Sequence, residues 1–338
     1  MTHNSLLDLS IIIVNYKTEA LILDCLNSIK KFDAGFSYEL IVIDNCYEPG
    51  ANKQIVSDFP GLKWIDAGGN IGFSRANNLG LSNSVGKYVL FLNADTLIID
   101  HSIFNALNFL KSNSAFVAVG GLQVDLNGNP LPYYSTLNEI RKDLYILPNK
   151  PVFQKLILAL LPTENFSKGE TNNLVGAFIL TTKTALQKVG NWDEDFFMYA
   201  EDAELSFRLS KIGKLTYLEN VKFVHLINEN EFRRTEYSWA NRFSVQVQLS
   251  NFLWIRKSYG IFPLLILYFN YILLVPSFWV WKFYKNLSEG KKMFANPKNQ
   301  RLLDKKVRIL LNYLPSLMFA KKKFFKIKQE ENIDKINS

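Results

Sequence analysis

Ser10-Ile-Ile-Ile-Val14, then Asn15-Tyr16-Lys17-Thr18, then Glu19-Ala-Leu-Ile-Leu-Asp-Cys-Leu-Asn-Ser-Ile-Lys-Lys31 decide the fold class. The first run is short, β-branched and free of charge, as expected of a strand buried on both faces. The last carries Ile22, Leu23, Leu26 and Ile29 at helical spacing. The same alternation continues. Glu39-Leu-Ile-Val-Ile43 reads as a second buried strand stopped by Asp44-Asn45, and Leu62-Lys-Trp-Ile65 as a third that ends in Gly68-Gly69-Asn70. Arg75–Ser82 reads as a helix, and Tyr88-Val-Leu-Phe-Leu92 as a fourth strand that stops at Asn93-Ala94-Asp95. Strands that alternate with helices predict an α/β protein with a mostly parallel, helix-flanked sheet. In such sheets the ligand crevice lies beyond the carboxyl ends of the strands. Asn15-Tyr16, Asp44-Asn45, Asn70, Asn93 and Asp95 all fall there.

At 338 residues, 48% hydrophobic and 14% aromatic, the chain has material for a large core, which excludes global disorder. A net charge of +8 predicts an anionic partner: nucleic acid, a phosphorylated ligand or an anionic membrane. No nucleic-acid-binding module is recognisable, and the basic residues gather near an apolar segment, so no nucleic-acid partner is expected. The two cysteines, Cys25 and Cys46, have no metal-type spacing, which favours a reducing compartment. The first ten residues lack the pattern of a signal peptide, and the catalytic part is expected in the cytoplasm. A dinucleotide-binding oxidoreductase would need a glycine fingerprint after the first strand, and Asn15-Tyr16-Lys17-Thr18-Glu19 contains no glycine.

Further on, residues 130–170 are broken by Pro130, Pro132, Pro148, Pro151 and Pro162, and are expected to be irregular. Asn172–Thr181 and Leu215–His225 read as strands. Asp95, directly after a hydrophobic strand, is placed to give a hard oxygen ligand to Mg²⁺ or Mn²⁺. Glu201 or Asp202 offers a carboxylate base for a hydroxyl proton. Each has a plain alternative: Asp95 as a turn or cap residue, and the acidic pair with Glu204 as a solvated helix face with Arg208 as an i,i+4 partner. His225 ends a strand and is either a core histidine or a metal ligand. Their order along the chain turns the balance.

That order resembles glycosyltransferase family 2, inverting enzymes of the GT-A fold, and within it the bacterial rhamnosyltransferases. The matching stretches are Ser10–Lys17, Ile43-Asp-Asn45, Asn70–Gly80, Phe91-Leu-Asn-Ala-Asp-Thr96, Leu174-Val-Gly-Ala-Phe178 and Asp195–Arg208, across about residues 10–225. The resemblance implies that Asn15, Tyr16 and Asp44 bind the base of a nucleotide sugar. Asn70, Asn77 and Asn78 would form the loop and helix beneath it. Asn93-Ala94-Asp95 would be the metal loop, with Asp95 and His225 as ligands of a divalent cation (Mg²⁺ or Mn²⁺). Of Glu201-Asp202, Asp202 would be the base. Two positions depart from the family pattern. Asn93 replaces the first aspartate of the metal motif, which makes the cation conditional, and Asn77 stands where many relatives carry arginine. The implied donor is dTDP-rhamnose, and the implied acceptor a saccharide, lipid-linked, in cell-surface polysaccharide synthesis. A UDP-hexose donor and a non-catalytic sugar-nucleotide-binding scaffold are the alternatives.

The boundary is expected at residue 235, with a GT-A-like domain over 1–235 and a helical, aromatic, basic region over 236–338. Tyr259–Trp281 contains no charged residue, enough helix to reach across a hydrocarbon core. Arg256-Lys257 and Lys282–Lys285 flank it, Trp279, Trp281 and Tyr284 suit an interface, and Pro263, Asn270 and Pro276 interrupt it. A spanning helix, an interfacial or re-entrant element and a buried helical pair compete. The interfacial reading is favoured, with Lys321–Lys326 toward anionic headgroups. It would put the protein on the cytoplasmic face of a bacterial inner membrane, peripheral or monotopic, beside its acceptor.

Overall fold

The computed structural model describes residues 7–46, 48–134, 136–146, 152, 155, 159, 166–226, 241, 243–319 and 324–328. His3, Pro148, Pro151, Pro162, Lys321–Lys323 and the expected boundary at 235/236 lie outside the described residues. In chain order the first elements are β1 (Leu9–Asn15), α1 (Glu19–Lys31), β2 (Tyr38–Asp44), α2 (Lys53–Asp58), β3 (Lys63–Asp66), α3 (Phe73–Ser82) and β4 (Tyr88–Asn93). Then come β5 (Thr96–Ile98), α4 (Ser102–Ser112), β6 (Phe116–Val124), α5 (Leu137–Asp143), β7 (Glu170–Thr171), β8 (Phe178–Thr182), α6 (Lys183–Val189), α7 (Glu201–Leu209) and β9 (Lys214–His225). Three helices follow: α8 (Val245–Tyr259), α9 (Ile261–Ser288) and α10 (Lys298–Met318).

Two compact units result. The first is Met1–Leu137, Asn165–Phe197 and Glu201–Asn228; the second is Asn138–Glu164, Met198–Ala200 and Glu229–Ser338.

The first unit is built on one sheet in the order β3-β2-β1-β4-β8-β6-β9-β5, with β7 paired to β9. The expected parallel arrangement holds from β3 to β4. Beyond β4 the sheet is mixed: β4–β8, β8–β6 and β5–β9 are antiparallel and β6–β9 parallel. The period of a strand explains its two cores. Ile11 and Ile13 of β1 face one layer, where Ile22, Cys25, Leu26 and Ile29 of α1 are buried. Ile12 faces the other, with Ala76 and Leu81 of α3, Leu205 of α7 and Trp192. Glu19 in the first turn of α1 and Lys30-Lys31 in its last complement the helix dipole.

One expected strand, Asn172–Thr181, is half a strand. Only β8 forms, because the amides of Leu174, Val175 and Gly176 are taken by side chains: Ser206 Oγ at 3.0 Å, the Tyr217 hydroxyl at 2.9 Å and Asp202 Oδ2 at 2.9 Å. Those donors have none left for a ladder. Within the expected irregular stretch, α5 forms where no proline intervenes.

In the second unit α8, α9 and α10 pack on one another. Phe252 of α8 meets Tyr268 and Tyr271 of α9 edge-on. Buried Lys306 of α10 donates to the carbonyls of Asn241 and Phe243. The three expected interruptions of α9 do not break it. Pro263 lies in the first turn, where its N–H would be unbonded anyway, and Pro276 forfeits a single backbone bond.

The base of the sheet is closed by Gly86, whose amide donates to Ser10 Oγ at 2.8 Å. A Cβ at this position would stand 2.5 Å from the Ser10 nitrogen and 2.6 Å from the Leu9 carbonyl carbon, both backbone atoms. Gly86→Ala is therefore expected to cost about 1–3 kcal/mol, seen as a lower midpoint of urea unfolding. An unchanged midpoint would contradict this packing.

Candidate active site

The end of β4 carries Asn93, and the two-residue turn to β5 carries Asp95. β9 runs antiparallel to β5, so that Thr96 pairs with His225. The Leu226 amide then donates to the Asp95 carbonyl at 2.8 Å, which pins the two segments together. As a result Asp95 Oδ1 and His225 Nε2 are 2.9 Å apart, both partly buried, and Asn93 Nδ2 lies 3.4 Å from the same Nε2. Two neighbouring ligands on one octahedral ion, each at about 2.1 Å, stand about that far apart. As it stands the pair is in direct contact; the same spacing would let one carboxylate and one imidazole hold a cation, and the imidazole suits Mn²⁺ better than Mg²⁺, which prefers oxygen ligands. Among the described residues no group of three or more His, Cys, Asp and Glu is arranged around an ion. A cation here would have these two side chains from the described residues and would need a ligand or water to complete its shell. Buried Cys25 packs beneath this loop, its Sγ 3.9 Å from the Asn93 carbonyl. Burial, with the Asp95 charge added, pushes its thiol well above the ordinary range, so it stays neutral.

The acidic pair opens α7. Tyr199 (φ 73°) and Ala200 (φ 60°) precede it, two successive non-glycine residues in the left-handed region. Such strain concentrates at functional sites. Asp202 is partly exposed and accepts one backbone N–H on each oxygen: Gly176 on Oδ2 at 2.9 Å and Ala203 on Oδ1 at 2.8 Å. One residue on, the Ala177 carbonyl accepts the Asn93 amide at 3.1 Å. These two bonds link the acidic pair, through the 176–177 backbone, to the loop that carries Asn93 and Asp95. Glu201 is buried and its Oε2 has no hydrogen-bond partner. Burial first, then the neighbouring Asp202 charge, pushes its carboxyl up to about 8. Burial also raises Asp202, against the pull of its backbone N–H donors. Both carboxyls are thus shifted toward the protonated form, and only Asp202 has backbone N–H donors on both oxygens to oppose the shift.

The other sequence-predicted residues divide into two sets. Asn15 is fully buried at the end of β1; its amide donates to Asp44 Oδ1 and Glu19, and its oxygen accepts from Thr18. Asp44 also accepts the Cys46 amide and the Trp64 indole N–H. Asn15 and Asp44 thus form one rigid patch beside half-exposed Tyr16. Asn70 caps its own loop by accepting the Gly72 amide. Asn77 turns back to the Phe73 carbonyl of its own helix, and Asn78 clamps the loop at Trp192 and Glu194. Their side-chain bonds therefore go to protein: they hold the loop and helix in place. The sequence reading missed Trp64, Gly176 and Tyr217. Tyr217 sits mid-strand on β9, where strand periodicity marks it only as core.

An α/β sheet that is parallel from β3 to β4 and mixed beyond, with a carboxylate loop at the end of β4, has the architecture of the GT-A class of transferase fold. The mannosyltransferase PcManGT of Pyrobaculum calidifontis, solved with GDP-Man and Mn²⁺, shares this fold at a TM-score of 0.52 and 15% identity, over 91% of this chain and 88% of that one. The sequence profile of glycosyl transferase family 2 matches residues 10–188, more than half of the chain, and the protein belongs to that family. The chain is 27% identical over 206 residues to the low-salt glycan biosynthesis hexosyltransferase Agl10 of Haloferax volcanii. That match takes in 60% of this chain but only 61% of the relative. It is 26% identical over 258 residues to rhamnosyltransferase WbbL of Escherichia coli K12, covering 70% of this chain and 89% of WbbL.

The Glu201 proton has a measurable consequence. Between the ordinary value of 4.5 and about 8 the folded state holds a proton that the unfolded chain has lost. Stability therefore falls as pH rises through this window. Glu201→Gln, which cannot ionise, is expected to remove that part of the fall in urea titrations from pH 5 to 8.5. An identical slope in the variant would show that Glu201 ionises normally.

Proposed function

We propose that this protein transfers a sugar with inversion from a nucleoside-diphosphate donor to a saccharide acceptor, Asp202 acting as the base. The observation that carries the reading is the acidic pair at the start of α7, Glu201 buried and Asp202 partly exposed, with Asp202 tied through Gly176 and Ala177 to the loop of Asp95 and His225. Each Asp202 oxygen accepts one N–H, which leaves lone pairs to accept the proton of an acceptor hydroxyl. As that proton moves to Asp202, the hydroxyl oxygen bonds to the anomeric carbon. The bond from that carbon to the diphosphate oxygen breaks, and the diphosphate leaves with the electron pair. A divalent cation held by Asp95 and His225 would supply charge stabilisation for the diphosphate. Asn15, Tyr16 and Asp44 would receive the base, and Asn70, Asn77, Asn78 and Asn93 would shape the floor of the donor site.

The donor favoured is dTDP-rhamnose, supported by the likeness to WbbL over most of that protein's length. A hexose donor is the second reading, supported by the likeness to Agl10. A lipid-linked saccharide of the cell-surface polysaccharide pathway is the proposed acceptor, and the cytoplasmic face of the inner membrane the proposed location. Asp202→Asn is expected to lower transfer of labelled sugar by about 10²–10⁴-fold, with donor affinity in calorimetry essentially unchanged. Near-normal turnover in this variant would remove Asp202 from the role of base.

A further inference from the structure

Helix α9 is long and apolar enough to cross a membrane by length and composition, yet its two sides differ. At about 100° per residue, Phe262, Phe269, Leu273, Val280, Tyr284 and Leu287 fall within about 60° of one another around the axis. All six are exposed, Phe262 at 72%, Val280 at 66% and Tyr284 at 74%. This straight apolar stripe runs for about 38 Å along the helix. The opposite side is covered by protein: Leu264, Leu267, Tyr268, Tyr271, Leu274 and Phe278 are buried. There the Tyr268 hydroxyl donates to the Leu310 carbonyl of α10 and that of Tyr271 to the Leu144 carbonyl. Asn270, the polar residue at mid-helix, pairs with both the amide and the carbonyl of Ile146.

The covering helix rules out a simple crossing. α10 packs on α9 and carries Lys298, Arg301, Asp304, Lys305 and Arg308. A transverse α9 would draw these charges into hydrocarbon, where ionised side chains are strongly disfavoured. A helix apolar on one side and protein-bound on the other suits the plane of a lipid interface. The charge at its end names the lipid. From 282 to 292 the chain holds Lys282, Lys285, Lys291 and Lys292 against Glu289, which pairs with Lys291 at 2.6 Å and Lys285 at 3.9 Å, so this end keeps a surplus of positive charge. Buried Asn286 fixes this turn by donating to the Met293 and Ala295 carbonyls. Phe294 is thereby held against Phe283 and Trp279, and the lysines sit beside an aromatic cluster.

We propose that α9 lies flat in the surface of an anionic bilayer, its Phe262–Leu287 stripe immersed and Lys285, Lys291 and Lys292 at the lipid phosphates. This goes beyond the sugar-transfer reading and does not rest on it, since the test needs no nucleotide. The full chain is sedimented with large unilamellar vesicles of phosphatidylcholine and phosphatidylglycerol in equal parts, and with phosphatidylcholine alone. The protein is expected to bind the anionic vesicles, to be displaced by salt, and to be released by an alkaline carbonate wash. Phe262→Ser/Phe269→Ser is expected to weaken binding at least about ten-fold, with an unchanged melting curve. Should that pair misfold, Val280→Ser carries the same expectation with a smaller loss. Equal binding to both vesicle types, indifference to the stripe variants, or resistance to the wash (the mark of a spanning helix) would each overturn the proposal.

Discussion

The hydrogen bond from the Gly176 amide to Asp202 Oδ2 is the contact on which the site depends. It fixes the Asp202 carboxyl on one side. Through the adjacent Ala177 carbonyl, which accepts the Asn93 amide, it fixes the start of the loop that carries Asp95 on the other. Glycine suits the position because a Cβ there would already touch the Asp202 carboxyl group at 3.4 Å. The price is the strand itself: three successive amides bond to side chains, and β8 begins only at Phe178. A segment that could have extended the sheet serves as a bracket.

Electrostatics follow from that bracket. Two adjacent carboxyls, one of them buried, cannot both ionise cheaply. The protein resolves the conflict by leaving Glu201 protonated without a partner for Oε2, while Asp202 receives backbone donors. This arrangement loses stability toward alkaline pH as Glu201 ionises. The Asn93–Asp95 loop has its own asymmetry. With Asn93 in place of an aspartate, the negative charge there comes from Asp95 alone, and His225 reaches it only because β9 runs antiparallel to β5.

Much of this was legible in the sequence, for a physical reason. Strands β1, β2 and β4 are buried on both faces, so uncharged β-branched runs reveal them, and the polar residues that end them must lie at the crevice. Asp95, Asp202 and His225 were visible in the same way, at the ends of such runs or in family-like stretches. Strand β6 escaped because Gly120-Gly121 interrupts it; those glycines admit the rings of Tyr217 and Phe223, a long-range fit with no local signal. The half-strand at 172–177 was misjudged because its donors go to side chains about 26 to 42 residues away. Asn77 and Asn78 share one stretch, yet the carboxamide of one closes on its own helix and that of the other on a loop 114 residues distant. Nothing in local sequence distinguishes them. α9 likewise read as interrupted, although its prolines sit where a helix can carry them.

The most direct test of the account is a thermal-shift comparison of dTDP-, UDP- and GDP-sugars, with and without Mn²⁺, on the wild-type chain and on Asp95→Ala. The account predicts stabilisation of the wild type by one class of nucleotide sugar, enhanced by Mn²⁺, with the Mn²⁺ enhancement lost in Asp95→Ala. Absence of any shift, or the same Mn²⁺ enhancement in the variant, would contradict it.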